Sequence, residues 1–194
     1  QRAWSRNYTL CSLHFWKKHN VEFLKNKGHE VEIIHYVPYT SEKNFLRCFR
    51  SKRPSNIYKQ ILALKKEQKI KPFREKYLHL SDKYQSLKGL NEKPPIYEAY
   101  IVGSDQVWNP YFLANGENKI TPSYFLSFIK ENRKKTAYAV SFGVEYYPQT
   151  LKNKLKELSN TFHHISVREQ SGIALLERLK VKNIKLMPDP CLLM

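Results

Sequence analysis

The stretch Tyr100-Ile-Val-Gly-Ser-Asp-Gln-Val-Trp-Asn-Pro110 starts as a buried strand and then breaks into small, polar and aromatic residues. A strand that only fills a core has no need of Gly, Ser, Asp, Gln and Trp at one end. Gly103 admits a ligand or loop close to the backbone, where a Cβ would stand in the way. Ser104, Asp105 and Gln106 offer a hydroxyl, a carboxylate and an amide. Two readings stay open. These groups line a cleft, or Asp105 caps a following helical turn and Trp108 packs.

Outward from this stretch the pattern repeats. Glu30–Tyr36 alternates and then becomes apolar, as a parallel strand entering a core does. It follows a helix that ends at Gly28, a residue free to take the positive φ of a helix C-terminus. Lys135–Val140 and Ile165–Val167 are further short strands. The first ends in Ser141-Phe142-Gly143, and the second runs straight into Arg168-Glu169. A helix starts near Pro148, another near Ser171, and a last short strand lies at Ile184–Met187. Residues 41–90 read as two or three Lys-rich helices, with Leu62, Leu64, Ile70, Phe73 and Leu78 as their apolar positions. Strands alternating with helices, and polar signatures at strand ends, predict a doubly wound α/β domain. In such sheets ligands sit at the carboxyl ends of the strands.

The chain has 194 residues, 41% hydrophobic, enough for one α/β core. No apolar run spans a bilayer and no signal-peptide pattern opens the chain. The first residue is Gln1, so a piece of a longer protein is expected. Cys11, Cys48 and Cys191 form no CxxC, and the histidines form no HExxH, so neither a disulfide framework nor a metal site is expected. The formal net charge is +17. Between Glu42 and Lys83 there are 13 Lys/Arg against 4 Asp/Glu. No RNP-like motif, zinc-finger spacing or long basic run accompanies them, so a solvated helical surface is expected there and no specific nucleic-acid partner.

With these residues in view, Tyr97–Pro110 resembles the central motif of the polysaccharide pyruvyl transferase family. Pro72–Tyr84 is similar to the family's linker into that strand. The segments "AYAVSFG", "HHISVREQSGIALLERL" and "MPDPCLLM" resemble its next three blocks, in order. The resemblance runs from about Val21 to Met194. It implies a Rossmann-like doubly wound parallel sheet, the first half of a GT-B-like two-domain architecture. It also implies transfer of a pyruvyl group from phosphoenolpyruvate to a sugar of a cell-surface polysaccharide, forming a cyclic ketal, with no cofactor beyond that donor. The acceptor is a saccharide, free or lipid-linked, and the setting is cytoplasmic or peripheral at the inner face of the membrane. The residues that hold phosphoenolpyruvate are expected in the C-terminal domain, absent here. No catalytic residue is therefore assigned, and the isolated chain is expected to be inactive.

The substrate-binding candidates are Gly103, Ser104, Asp105, Gln106, Ser141, Phe142, Gly143, Arg168 and Glu169. Arg168 and Glu169 also read as a salt-bridged pair orienting the next helix, Asp189-Pro190 as an inter-domain turn, and His163-His164 as residues without a catalytic role. Residues 1–20 depart from the family pattern. Thr9 follows Asn7-Tyr8 where Gly is expected, little room is left for a strand before them, and the interval to Gly28 is long. They form an atypical or truncated start, ahead of a domain at 21–194. A GT-B-like glycosyltransferase with another donor, or a non-catalytic carbohydrate-binding fragment, are the alternatives.

Overall fold

Successive residues of β2 (Glu30–Tyr36) face opposite sides of a sheet. Val31 and Ile33 go to one layer and Ile34 to the other. The structure, a computed structural model, describes residues 7–11, 17–37, 65, 68–69, 71–72, 76–111, 120–130, 133–189 and 192. For 7–11 and 17–20 it describes the backbone alone. The remaining strands are β1 (Asn7–Cys11), β3 (Leu80–Tyr84), β4 (Ala99–Asp105), β5 (Lys134–Val140), β6 (His164–Val167) and β7 (Ile184–Leu186). All pair in parallel in one sheet of order β3-β2-β1-β4-β5-β6-β7. This is the doubly wound order, and the direction of winding reverses between β1 and β4.

Among the described residues the helices described from end to end are α1 (Lys17–Asn26), α2 (Leu87–Glu92), α3 (Lys152–Ser159) and α4 (Gln170–Arg178), and residues 65, 68–69, 71–72 and 76–77 are helical as well. Gly28 ends α1 as expected. At φ 82 it donates to the Lys25 carbonyl, and His29 donates to that of Leu24, the Schellman pattern. Ser86 caps α2 by accepting from the Gly89 N–H at 3.1 Å. Val21 and Leu24 of α1 pack with Val31, Ile33 and Leu78 on one face. Leu90 of α2, Leu155 and Leu158 of α3 and Leu176 of α4 join the larger core on the other. Its largest member is Trp108, 1% exposed.

Three features differ from the sequence reading. Asn7–Cys11 is itself a strand, seated between β2 and β4. Leu80–Tyr84, inside the segment read as helical, is the edge strand β3. Its middle residues Asp82 and Lys83 are exposed, which masks the strand pattern. β4 continues to Asp105, so Gly103 and Ser104 lie within it. Cys48, Cys191, Leu62, Leu64, Ile70 and Phe73, and most of the basic 42–83 segment, lie outside the described residues.

β5 carries an irregularity that explains Gly103. Its register with β6 shifts between Ala137 and Val140, and Ala139 takes φ 47. The Ser166 hydroxyl bridges the irregularity, accepting from Ala139 N–H at 2.9 Å and donating to the Ala137 carbonyl at 3.3 Å. The Tyr138 carbonyl is thereby brought against β4. A Cβ on Gly103 would lie 2.0 Å from that oxygen.

Lys135 is 7% exposed. Its ammonium donates to the Ile129 carbonyl at 3.1 Å, and burial pushes its pKa below the usual lysine value.

Gly103→Ala should cost about 3 kcal/mol or more, because neither backbone can yield. Gly28→Ala, in open space, should cost about 1 kcal/mol for its left-handed φ alone. Denaturant melts of the pair check this contrast. Between its lowered folded pKa and the ordinary 10.5, Lys135 holds a proton in the unfolded chain that the folded protein has shed. Wild-type stability should therefore rise with pH in that window relative to Lys135→Met, as pH-dependent melts would show.

Candidate functional site

The carboxyl ends of β4, β5, β6 and β7 lie side by side. Asp105 pairs with Val140, Val140 with Val167, and Val167 with Leu186. With strands about 4.8 Å apart, the residues that follow them form one short row. Asp105, Ser141, Arg168 and Asp189, scattered over more than eighty positions of sequence, meet in that row. It lies beside the reversal of winding between β1 and β4, where doubly wound sheets open a ligand crevice.

Backbone hydrogen bonds set the local geometry. Asp105 takes φ 75, and its carbonyl accepts the N–H groups of Val107 at 2.8 Å and Ser141 at 2.9 Å. The Ser141 carbonyl accepts the Trp108 N–H at 3.3 Å. The Trp108 ring then drops into the core. It stacks on Phe125 at 4.6 Å, meets Phe142 and Phe162 edge-on, and donates from Nε1 to the Tyr124 carbonyl.

The sequence candidates separate into two groups. Gly103 faces the Tyr138 carbonyl of β5, so it serves strand packing and not ligand approach. Ser104 is fully buried, and its hydroxyl has no partner among the described residues. Phe142 is a core ring, pressed against Trp108, Tyr147 and the α4 backbone at Gly172. Ser141 is buried too. Its hydroxyl accepts the Gly143 N–H at 3.0 Å and donates to Glu169 Oε1, so its proton is engaged and is not offered to a ligand.

The second group reaches solvent. Asp105 caps no helix. Its carboxylate accepts the adjacent Gln106 N–H at 2.7 Å and is half-buried. Gln106 Oε1 accepts from Asn109 Nδ2 at 2.9 Å, and this amide pair lies on Gly143. A Cβ on Gly143, at φ 59, would sit 2.4 Å from Gln106 Cδ. Arg168 does bond Glu169, at 3.4 Å, but its closer carboxylate is Asp189, at 3.0 Å. Glu169 precedes α4 without capping it, because its carboxylate turns toward Ser141. Burial, and then the Asp189 charge, push the Tyr138 phenol up.

Three contributors escaped the sequence reading. Asn109 braces Gln106, Asp189 holds Arg168, and Tyr146, 79% exposed, presents an aromatic ring three residues after Gly143. Asn109 and Asp189 stood inside the recognised motifs without being singled out as site residues, and Tyr146 carried its own signal, an aromatic doublet with Tyr147 in a strand-end loop. His163 and His164 lie at the opposite, amino end of β6. Among the described residues no group of His, Cys, Asp and Glu is placed to hold a metal ion. Immediately after β4, β5, β6 and β7, at residues 105–111, 141–147, 168–169 and 187–189, the described charges are Asp105, Glu145, Glu169 and Asp189 against Arg168. Such an edge suits a neutral, hydroxyl-rich ligand better than an anion.

A family model described as polysaccharide pyruvyl transferase matches residues 18–194. No curated protein matches the chain.

Gly143→Ala should destabilise the protein by about 1–3 kcal/mol through the left-handed φ and the collision with Gln106. Adding Gln106→Ala should recover the collision part. A double-mutant cycle on melts would show that coupling as a departure from additivity of about 0.5 kcal/mol or more.

Proposed function

The chain belongs to the polysaccharide pyruvyl transferase family, and from that premise we propose that it serves the transfer of a pyruvyl group from phosphoenolpyruvate to a hydroxyl pair of a saccharide. The observation that carries this reading is the strand-end row itself. Asp105 and the Gln106–Asn109 amide pair are side chains that orient hydroxyls, and the next loop, which meets that pair at Gly143, carries the exposed Tyr146 ring. An aromatic face receives the C–H face of a sugar, while carboxylates and amides take its hydroxyls.

The chemistry balances without a cofactor. Both acceptor oxygens bond to C2 of phosphoenolpyruvate. The methylene C3 takes one of the two hydroxyl protons and becomes a methyl group. The C2–O bond to phosphate breaks, and inorganic phosphate leaves with the other proton. Asp105 is the group we assign to orient an acceptor hydroxyl. A positioned acid or base contributes on the order of 10²–10⁴-fold to such a step. The row is acidic, so the cations for the anionic donor come from outside the described residues. A cytoplasmic setting accords with this reading, and the described residues contain no helix long and apolar enough to cross a membrane.

The test uses the active enzyme carrying this chain, supplied with phosphoenolpyruvate or nucleotide sugars and a panel of acceptors, with products read by mass spectrometry. The ketal, 70 Da heavier than the acceptor by that atom balance, is the expected product. A glycosyl adduct from a nucleotide sugar would replace this reading with a glycosyltransferase. Asp105→Asn keeps the shape and tolerates φ 75. It should lower acceptor turnover at least about tenfold, or about 1.4 kcal/mol, with little change in melting. Full activity in Asp105→Asn and in Asp105→Ala, per folded molecule, would reduce Asp105 to a backbone brace.

A further inference from the structure

Charge is sorted along the strand axis. The residues immediately after β4 to β7 carry acids, whereas those immediately before, or opening, β5 and β7 carry cations. Lys130, Lys134, Lys180 and Lys182 are all exposed at this amino edge. Arg133 accompanies them, half-buried, and Lys93, before β4, is already joined to Asp82 at 3.1 Å. The described acid in these loops is Glu98. The loops are stitched side by side. His163 N–H donates to the Lys135 carbonyl, Asn183 Nδ2 to that of His163, and Ile165 N–H to that of Asn183. The exposed His163 and His164 therefore lie between the lysines of β5 and those of β7.

The same edge is apolar where it reaches β4. Ile96 is 72% exposed and follows Pro94-Pro95. Beneath it is a cavity of about 170 Å³ lined by Pro94, Pro95, Ile96, Tyr100, Phe128 and Ile129, with Lys130 at its rim. A nucleic acid or other polyanion rewards the lysines alone. An exposed isoleucine over an apolar cavity gains from a medium that also supplies hydrocarbon.

We propose that the amino-terminal edge of the sheet docks on an anionic phospholipid bilayer, Lys130, Lys134, Lys180 and Lys182 meeting headgroup phosphates and carboxylates while Ile96 enters the interface. The site on the opposite edge then faces away from the membrane. Seven residues of β4 at about 3.3 Å each hold it roughly 20 Å above the headgroups. That height suits a saccharide chain projecting from the surface better than a sugar lying at the lipid.

The experiment is co-sedimentation of the full-length protein with vesicles of phosphatidylcholine alone or with phosphatidylserine added. Wild type should bind only the anionic vesicles. The fourfold change Lys130→Gln, Lys134→Gln, Lys180→Gln and Lys182→Gln should weaken binding at least about tenfold. Ile96→Ser should weaken it severalfold, including at salt that screens the charges. Lys83→Gln with Lys88→Gln, exposed and away from this edge, should leave binding within about twofold of wild type. Unchanged melting temperatures would show that every variant is folded. The proposal is overturned if wild type ignores anionic vesicles, or if the two sets of lysine changes act alike per charge removed. It is overturned as well if Ile96→Ser binds like wild type while duplex DNA competes the vesicles away, since the edge then serves a polyanion.

Discussion

The carboxyl ends of β4 and β5 are locked by a reciprocal pair of backbone bonds, and the site depends on it. The Asp105 carbonyl receives the Ser141 N–H, and the Ser141 carbonyl receives the Trp108 N–H. For the first bond Asp105 must turn into the left-handed region. That turn ends the inward-outward alternation of the strand and sends the following residues over the sheet's edge. Trp108 anchors the turn from below. Its burial among Phe125, Phe142 and Phe162 is the kind of contact whose loss costs about 3–5 kcal/mol. The polar residues at the mouth are held by an apolar ring beneath them.

Close backbone approach is the second constraint. The irregularity in β5 brings the Tyr138 carbonyl against Gly103, while Ser166 satisfies the N–H that the irregularity frees. One strand further, Gly143 gives way to the Gln106–Asn109 amides, and Gly172 in α4 gives way to the Phe142 ring. At Gly103 and Gly143 the elements come closer than a side chain permits, and at Gly172 a Cβ would press tightly on the Phe142 ring. The loops after β4, β5 and β6 are consequently held as one surface and not as three independent segments.

Electrostatics divides the labour between the two ends of the sheet. At the carboxyl end carboxylates prevail, and Arg168 is occupied by Asp189 and Glu169. A trianionic donor finds little there, whereas hydroxyls find acceptors. At the amino end lysines prevail, and burial of Lys135 shows that even a cation drawn into the fold is held by a carbonyl and not by a carboxylate. The large positive net charge is therefore not spread evenly over the described surface, and acids prevail at the candidate site.

The sequence by itself determined the fold class and most of the strands. β2, β4, β5 and β6 are rich in apolar and β-branched residues, and such runs fit few other structures. It did not reveal β1, because Asn7-Tyr8-Thr9 lacks that pattern, nor β3, an edge strand with Asp82 and Lys83 in water. Composition and motif pointed to the strand ends as the place of function. Only the tertiary structure decided which side chains are available there. Ser104 and Phe142 turn inward, Gly103 serves a neighbouring strand, and Ser141 spends its hydroxyl on Glu169, while Asn109 and Asp189 join from within the recognised motifs and Tyr146 from outside them. The physical reason is that side-chain direction at a strand end depends on local departures from regular φ and on register with the next strand. Both are set by long-range packing, at Gly103 against Tyr138 and at Asp105 against Ser141, which no local pattern encodes.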